Sequence, residues 1–524
     1  MKKILPVAVL AAIAGVNGAQ AVHVNDDGTG QVLLYPYYTV EGGQDTLINL
    51  VNTTDDYKAV KIRILESMNS REVLDFNIYM SPRDHWSAAI TADGDGAKIR
   101  SVDNTCTVPR AISEGVAVPF RTFEYDGSFP GSQPDYKPGT VPLEDSDGDV
   151  ILDENGNEVG EKWGVERTRE GYVEVIEMGV VTDTTIQGYI EHGTDGIPGD
   201  CVKLANLWDP DETPTYLPPA SPNLAGVWTT NGAGPGYGIE GQLGGLYGYG
   251  IIIDVPRATD ATYDAVALDN WKYPGRAGDH SSPGSLNPYI GDGTFEYALF
   301  DEGGVIEGAT EFTALEGLDA VSAVLMQASI DNDYVLEPSV DAGTDWVVTF
   351  PTKREYVNDA ISNLERPFTN EWNYELSVAC ETFEIDYWDR EEGVPSPDDN
   401  DVDFSPLPPP GEVQTSSFCH EANVLTFNES NVLAASDRTG VNIDLAEGFN
   451  NGWAEVDLTR AKDSQGNFET RILPTLNHDF FGLPAVGFAV QRYLREDGSN
   501  DGVVSNYAGS VLHKGDREIT SFLP

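Results

Sequence analysis

Two stretches of this chain alternate apolar and polar residues with a period of two, and that rhythm limits the fold more than any other feature. Val60, Ile62 and Ile64 interleave with Lys61 and Arg63, and Leu74, Phe76, Ile78 and Met80 interleave with Asp75, Asn77 and Tyr79. Successive side chains of a strand point to opposite faces, so the pattern predicts half-buried antiparallel strands. Gln31–Val40 and Thr46–Val51 add two more, punctuated by Gly42-Gly43, Asn52–Asp56 and Met68–Ser70. The expected fold is mainly β: antiparallel β-sandwich domains, Ig-like or jelly-roll, with long Gly/Pro/Asp-rich loops and little helix.

At 524 residues the chain is too long for one small core. The expected division is a signal peptide at 1–21, an N-terminal β-sandwich at 22–105, a β-rich region with long loops at 106–260, and a C-terminal β-rich domain at 261–524. Strand patterning returns at Tyr172–Val181, Leu246–Val255, Thr294–Phe300, Asp345–Phe350, Gly452–Leu458, Thr470–Leu476 and Pro484–Leu494. Leu315, Leu318, Val321 and Leu325 recur at helical spacing and predict one amphipathic helix over Leu315–Ile330. The acidic, Pro-rich stretch 389–414 reads as a loop.

Lys2 and Lys3 precede a short apolar run, and Ala19-Gln20-Ala21 offers the small-x-small pattern read by signal peptidase. Export by this signal implies a periplasmic, extracellular or cell-surface location, with no transmembrane segment expected in the mature chain. An oxidising compartment makes disulfides of the four cysteines, Cys106, Cys201, Cys380 and Cys419. Three pairings exist; the sequential one, Cys106–Cys201 with Cys380–Cys419, keeps each bridge local and is the expected one. A bridge of either length removes about 3–5 kcal/mol of unfolded-state entropy on the simple loop account.

The composition holds 86 Asp and Glu against 31 Lys and Arg, a formal net charge of −55. Removal of residues 1–21 deletes two lysines and no acid, leaving 29 bases and a charge of −57. Phosphates are repelled by such a surface, so nucleic acid is excluded as a partner and anionic lipid is disfavoured. Divalent cations, saline solvent and a crowded cell surface suit it better.

One acidic run has the spacing of a cation loop. Asp145, Asp147, Asp149 and Asp153 fall at positions 1, 3, 5 and 9 of an EF-hand-type loop, where alternate carboxylates converge on one Ca²⁺. Val150 stands where the turn glycine is expected, and Gly156 where a bidentate Glu is expected. The same residues also read as a solvated approach to a hairpin at Asn155-Gly156. Asp93-Gly-Asp-Gly96 is a lesser candidate of the same kind. Ca²⁺ is therefore the one cofactor the sequence offers, and no catalytic residue is assigned. The chain carries no G-x-S-x-G, H-E-x-x-H or P-loop pattern. Its histidines read as surface or packing residues, with His420 taken as an exposed neighbour of a disulfide. The densest aromatic cluster, Tyr35, Tyr37 and Tyr38 around Pro36, reads as core packing before it reads as a sugar-binding face.

The segments Leu34-Tyr-Pro-Tyr-Tyr38, Asp45-Thr-Leu-Ile48, Val51-Asn-Thr-Thr54 and Asn69-Ser-Arg-Glu-Val-Leu-Asp-Phe76 resemble the N-terminal region of uncharacterised exported β-rich proteins of Gram-negative bacteria. Trp346–Lys353 and Val486–Val490 extend the resemblance along the chain. It implies export and a β-rich fold, and it transfers no catalytic residue. Three functional readings follow. The first is a non-enzymatic structural or adhesion-type protein engaging cell-surface components or its own copies. The second is a secreted module binding glycans or Ca²⁺, and the third is a secreted hydrolase.

Overall fold

The computed structural model describes residues 22–128, 134–135, 164–208, 227–228, 237–272, 278–293, 297–301, 306–311, 316–358, 367–374, 376–393, 404–405, 416–462, 468–475, 478–494 and 506–521. Its N-terminal strands are β1 (His23–Val24), β2 (Val32–Thr39), β3 (Gln44–Asn52), β4 (Lys58–Glu66), β5 (Glu72–Met80), β6 (His85–Asp93), β7 (Gly96–Arg100), β8 (Cys106–Val108) and β9 (Val118–Pro119). Then come β10 (Glu170–Val181), the short helices α1 (Thr184–Ile190) and α2 (Cys201–Ala205), β11 (Ile239–Glu240), β12 (Leu246–Asp254), β13 (Thr259–Asp264) and β14 (Val266–Asp269). They form two sheets, β1-β14-β2-β10-β4-β5-β8 with β11 beside β10, and β13-β12-β3-β6-β7-β9. Leu33, Ile62, Phe76 and Val175 of the first sheet share one core with Ile48, Leu50, Trp86 and Ile90 of the second. The first sandwich therefore needs strands on both sides of residue 105, because β5 pairs with β8 and β10 lies between β2 and β4.

A second group of strands follows. β15 (Tyr297–Asp301) and β16 (Ile306–Glu311) form a hairpin, and helix α3 (Glu316–Leu325) leads into β17 (Met326–Gln327), β18 (Ser329–Val335), β19 (Ala342–Thr349) and helix α4 (Lys353–Val357). β20 (Glu381–Asp389), β21 (Phe404–Ser405), β22 (Ser416–Phe418), β23 (Ala422–Phe427), β24 (Gly440–Ile443) and β25 (Asn451–Asp457) come next. The chain ends through β26 (Arg460–Lys462), β27 (Phe468–Thr470), β28 (Ile472–Pro474), β29 (His478–Phe481), β30 (Leu483–Pro484), β31 (Val486–Tyr493), β32 (Tyr507–Leu512) and β33 (Glu518–Ser521). The larger sheets here run β18-β25-β20-β22 and β21-β24-β23-β19-β31-β32. The central strands of the six-stranded one, β23, β19 and β31, carry core residues on both faces. Val347, Val424, Phe488 and Val490 turn toward the first core, and Trp346, Val348, Leu425 and Phe427 toward the second. The fold is thus mainly β and built of antiparallel sheets, with β23–β24 a parallel pair. No helix of the described residues is long and apolar enough to cross a membrane.

The alternation that identified β4 and β5 is present, but its polar face does not meet solvent. Every residue of β4 is buried. Lys58 Nζ, on the opposite parity, pairs with Glu177 Oε1 at 2.6 Å, while on this face Lys61 Nζ pairs with Asp75 Oδ2 at 2.5 Å and Arg63 Nε with Glu72 Oε2 at 2.9 Å. The segment His280–Asn287 lies over this face: Lys61 Nζ donates to the carbonyls of Ser282 and Ser285, and Asn77 Nδ2 to that of Ser281. Half-burial is therefore corrected to full burial, since each charge has an ion-pair or carbonyl partner that replaces water.

β2 carries a proline, which cannot donate to a ladder and is tolerated in strands at bulges. Here the register with β10 shifts between Gly171 and Val173, opposite Tyr38 and Tyr35, so Pro36 falls at the irregularity. Tyr35, Tyr37 and Tyr38 are fully buried, and their hydroxyls donate to Asn49 O, Glu170 Oε1 and Thr168 O at 2.7, 2.7 and 3.0 Å. Tyr35 reaches its partner across Gly248, where a Cβ would meet the hydroxyl at 1.8 Å. The expected helix ends at Leu325, five residues early, because Met326 and Gln327 pair with β30, and Ile330, Asn332 and Tyr334 then take a period of two and pair with β25 in ladder register.

At the junction between the sandwiches Arg167 is fully buried. Its guanidinium spans Glu66 (Nη2 to Oε1, 2.7 Å) and Asp135 (Nη1 to Oδ1, 3.0 Å) and lies 4.2 Å from the Tyr125 ring centroid. Removing one partner of a buried pair strands the other. Arg167→Ala is therefore expected to lower unfolding free energy by about 3–5 kcal/mol in urea titration; a loss below about 1 kcal/mol would show the network to be dispensable.

Candidate functional site

The four cysteines form two disulfides, Cys106–Cys201 and Cys380–Cys419. The first ties β8 to α2. The second closes the base of the interval holding the acidic Pro-rich stretch, directly beside the β20–β22 pairing of Glu381 with Phe418. Asp145, Asp147, Asp149 and Asp153 lie outside the described residues, as do Asp398–Asp403. Asp93 and Gly96 are paired across the β6–β7 turn, Gly94 takes φ +60°, and Asp93 Oδ1 meets Lys98 Nζ at 3.0 Å. Those residues are satisfied as a hairpin. Among the described residues no group of three or more His, Cys, Asp or Glu is placed to hold a metal ion.

His420 is buried, contrary to its expected exposure, because Ala422 onward enters the central sheet and draws its neighbours inside. With Glu421 and Lys353 it forms a titratable cluster at the junction. Glu421 Oε2 accepts from Ser70 Oγ at 3.0 Å and from Arg354 N at 3.2 Å, while Oε1 is buried without a hydrogen-bond donor. Lys353 Nζ donates to the carbonyls of His420 and Phe418. Burial pushes the Glu421 carboxyl up to about 8 against the pull of the Lys353 cation, and burial, aided by that cation, pushes His420 down to about 3. Perturbed groups of this sort also occur in active sites, but here all three side chains are packed inside the junction.

The exposed chemistry is on the outer face of the sheet β18-β25-β20. Parity there is set by Tyr334, Ala454, Val456 and Tyr387, which point into the second core. The alternate positions face outward in cross-strand rows: Asp333, Trp453 and Trp388, then Asp331, Glu455 and Asp386, then Ser329, Asp457 and Glu384. Trp388 and Trp453 stack on each other with ring centroids 4.1 Å apart and planes 13° from parallel. Trp453 is 40% exposed, an unusual position for so large an apolar surface. The pair floors an open groove of about 480 Å³ at the end of the sheet, rimmed by Asp333, Arg390, Glu392 and Asn451. Asn451 Oδ1 is buried there without a donor.

The row beside the indoles consists of carboxylates only. Burial first, then Asp331, Asp386, Asp457 and Asp516, push the Glu455 carboxyl upward. Asp389 ends β20 and anchors the adjoining turn, its Oδ1 accepting from Glu391 N and Gly393 N at 2.9 and 2.6 Å. The groove therefore combines an aromatic floor with acceptors and one guanidinium at its rim, a composition suited to hydroxyl-rich ligands with an apolar face.

The tyrosines around Pro36 form the densest aromatic cluster in the sequence, whereas Trp388 and Trp453 lie far apart in it. Their signal is parity: each tryptophan shares its strand's acidic phase, Trp388 with Glu384 and Asp386, Trp453 with Glu455 and Asp457. In this sheet the acidic phase is the solvent-facing one, so both indoles lie on its outer face. Comparison with protein-family models, with curated proteins and with solved structures returns no match to this chain.

The buried cluster has a pH signature. Glu421 holds its proton longer in the folded chain, so its contribution is complete below the ordinary carboxyl value of 4.5 and is lost as pH rises toward about 8. His420 acts oppositely: its contribution is complete above 6.5 and is lost as pH falls toward about 3. Glu421→Gln keeps the shape and removes the first effect. Urea unfolding should find this variant more stable than the parent at pH 8 by at least about 1 kcal/mol, with the difference shrinking toward pH 5. A difference that does not change with pH would sink the assignment.

Proposed function

We propose that the protein is exported and works outside the cytoplasm as a non-enzymatic, adhesion-type surface protein that engages carbohydrate through the Trp388–Trp453 groove. The observation that carries this reading is the exposed indole stack on the solvent face of a β-sheet. Pyranose rings present C–H faces that pack on indoles, and their hydroxyls need rim acceptors and donors such as Asp333, Asn451 and Arg390. A platform built on paired strands is rigid, so little ordering entropy opposes binding.

Export is supported by the Lys2–Ala21 pattern and by two disulfides, which persist in oxidising compartments. The charge of −57 after removal of that segment supports a partner that is not a polyanion. Glycans of neutral or cationic type satisfy both conditions. Nucleic acid satisfies neither.

The test is calorimetric titration of the purified protein with a panel of neutral, amino and acidic oligosaccharides. A neutral or amino oligosaccharide should bind, and Trp388→Ala and Trp453→Ala should each weaken it about tenfold or more, equivalent to roughly 1.4 kcal/mol. Thermal unfolding should stay within a few degrees of the parent, because Trp453 is exposed. Absence of binding across the panel, or binding untouched by the double variant, would overturn the proposal.

A further inference from the structure

A second cleft, independent of the tryptophan groove, opens where the first sandwich meets α3 and the last strands. It measures about 350 Å³, toward the lower end of the roughly 300–1,000 Å³ usual for small-molecule sites. Its walls are aliphatic: Val24 and Val266 come from the first sandwich, Val324 and Leu325 from the end of α3, and Val486 from β31. Leu512, 44% exposed, stands among its lining residues as an accessible aliphatic side chain.

The polar lining inverts the character of the chain. Acids outnumber bases 86 to 31 overall, yet none of the described residues lining this cleft is acidic, while Lys514 and Arg517 both line it. Arg517 Nη2 donates to Val324 O at 2.9 Å, which fixes the guanidinium beside the aliphatic wall. The lining histidine is not a third cation. His513 Nε2 meets Val347 O at 2.8 Å, Nδ1 meets Asn332 Nδ2 at 3.1 Å, and burial pushes its pKa down to about 4. The nearby carboxylate of Asp516 belongs electrostatically with Asp331 and Glu455 on the acidic sheet face.

We infer that this cleft binds an amphipathic carboxylate, a linear acyl chain lying along the aliphatic walls with its anionic head at Lys514 and Arg517. Aliphatic walls supply affinity in proportion to the area they cover. The cations supply selection by charge. A neutral or cationic amphiphile would gain the first contribution and forfeit the second.

The probe is decanoate, held below its micellar concentration and titrated into the purified protein by calorimetry, with 1-decanol and decyltrimethylammonium as headgroup controls. Decanoate should saturate one site, at least fivefold tighter than 1-decanol, with decyltrimethylammonium weaker still. Lys514→Glu, an exposed change, should weaken decanoate about tenfold and abolish the preference over 1-decanol. Leu512→Trp, also exposed, should weaken all three by crowding the aliphatic lining. Trp388→Ala should change nothing, which separates this site from the carbohydrate groove. No saturable decanoate binding, equal affinity for the anionic and cationic probes, or indifference to both Lys514→Glu and Leu512→Trp would each overturn the inference.

Discussion

A cluster of buried ion pairs holds the molecule together where its sandwiches meet. Glu66 accepts from the backbone amides of Met68, Asn69 and Arg71 as well as from Arg167, and Asp135 takes both Arg167 and Arg71. Arg354, from α4 of the second half, reaches Glu124 at 2.5 Å, and Ser70 of the first half donates to Glu421 of the second. Taking charges out of water costs several kcal/mol each, and that cost is offset only where geometry and hydrogen bonds are complete. Completion here needs residues from both halves, so the charges are dry only while the two sandwiches are joined. Separation would expose a set of arginines and carboxylates together with the faces of an apolar sheet.

The same network changes the meaning of the acid excess. Among the described residues eight Lys and Arg are buried against eleven Asp and Glu, although the sequence holds 86 acids and 31 bases. Burial removes bases in greater proportion, so the exterior is more acidic relative to its bases than the composition suggests. Solubility and repulsion of polyanions follow from that exterior. Cohesion follows from the interior, where the scarce bases are concentrated.

Strand positions were legible because a period of two is a local property: β4, β5, β10, β12, β19 and β31 all overlap the patterned segments. Cysteine pairing was legible because the sequential bridges close the shortest intervals. What covers a strand is not local. Lys61 and Arg63 have the phase of a solvated face, and no nearby residue announces that His280–Asn287, more than two hundred positions later, will lie across them. The early end of α3 has the same origin, since Met326 and Gln327 are claimed by β30, a strand far along the chain. Tyr35, Tyr37 and Tyr38 illustrate the converse. They are dense in sequence and fully buried, whereas Trp388 and Trp453 share the acidic phase of strands whose outer face is left uncovered.

Both ligand sites depend on how the sheets are shared. The central strands of the six-stranded sheet spend both faces on cores, one on each sandwich, which leaves the outer face of β18-β25-β20 open for the tryptophan groove. Strand β18 lines both sites: Asp333, Tyr334 and Val335 meet the groove, and Ile330 meets the aliphatic cleft. Ile330 and Asp333 differ in parity and are separated by about 10 Å of extended backbone, so they present opposite faces of one strand. A carbohydrate on the indoles and an acyl chain in the cleft would therefore not compete for space. They would share a strand whose seven residues are fixed in register against β25. A strand held in that way is not displaced by binding on either face, which makes two sites of independent affinity the expected behaviour of this architecture.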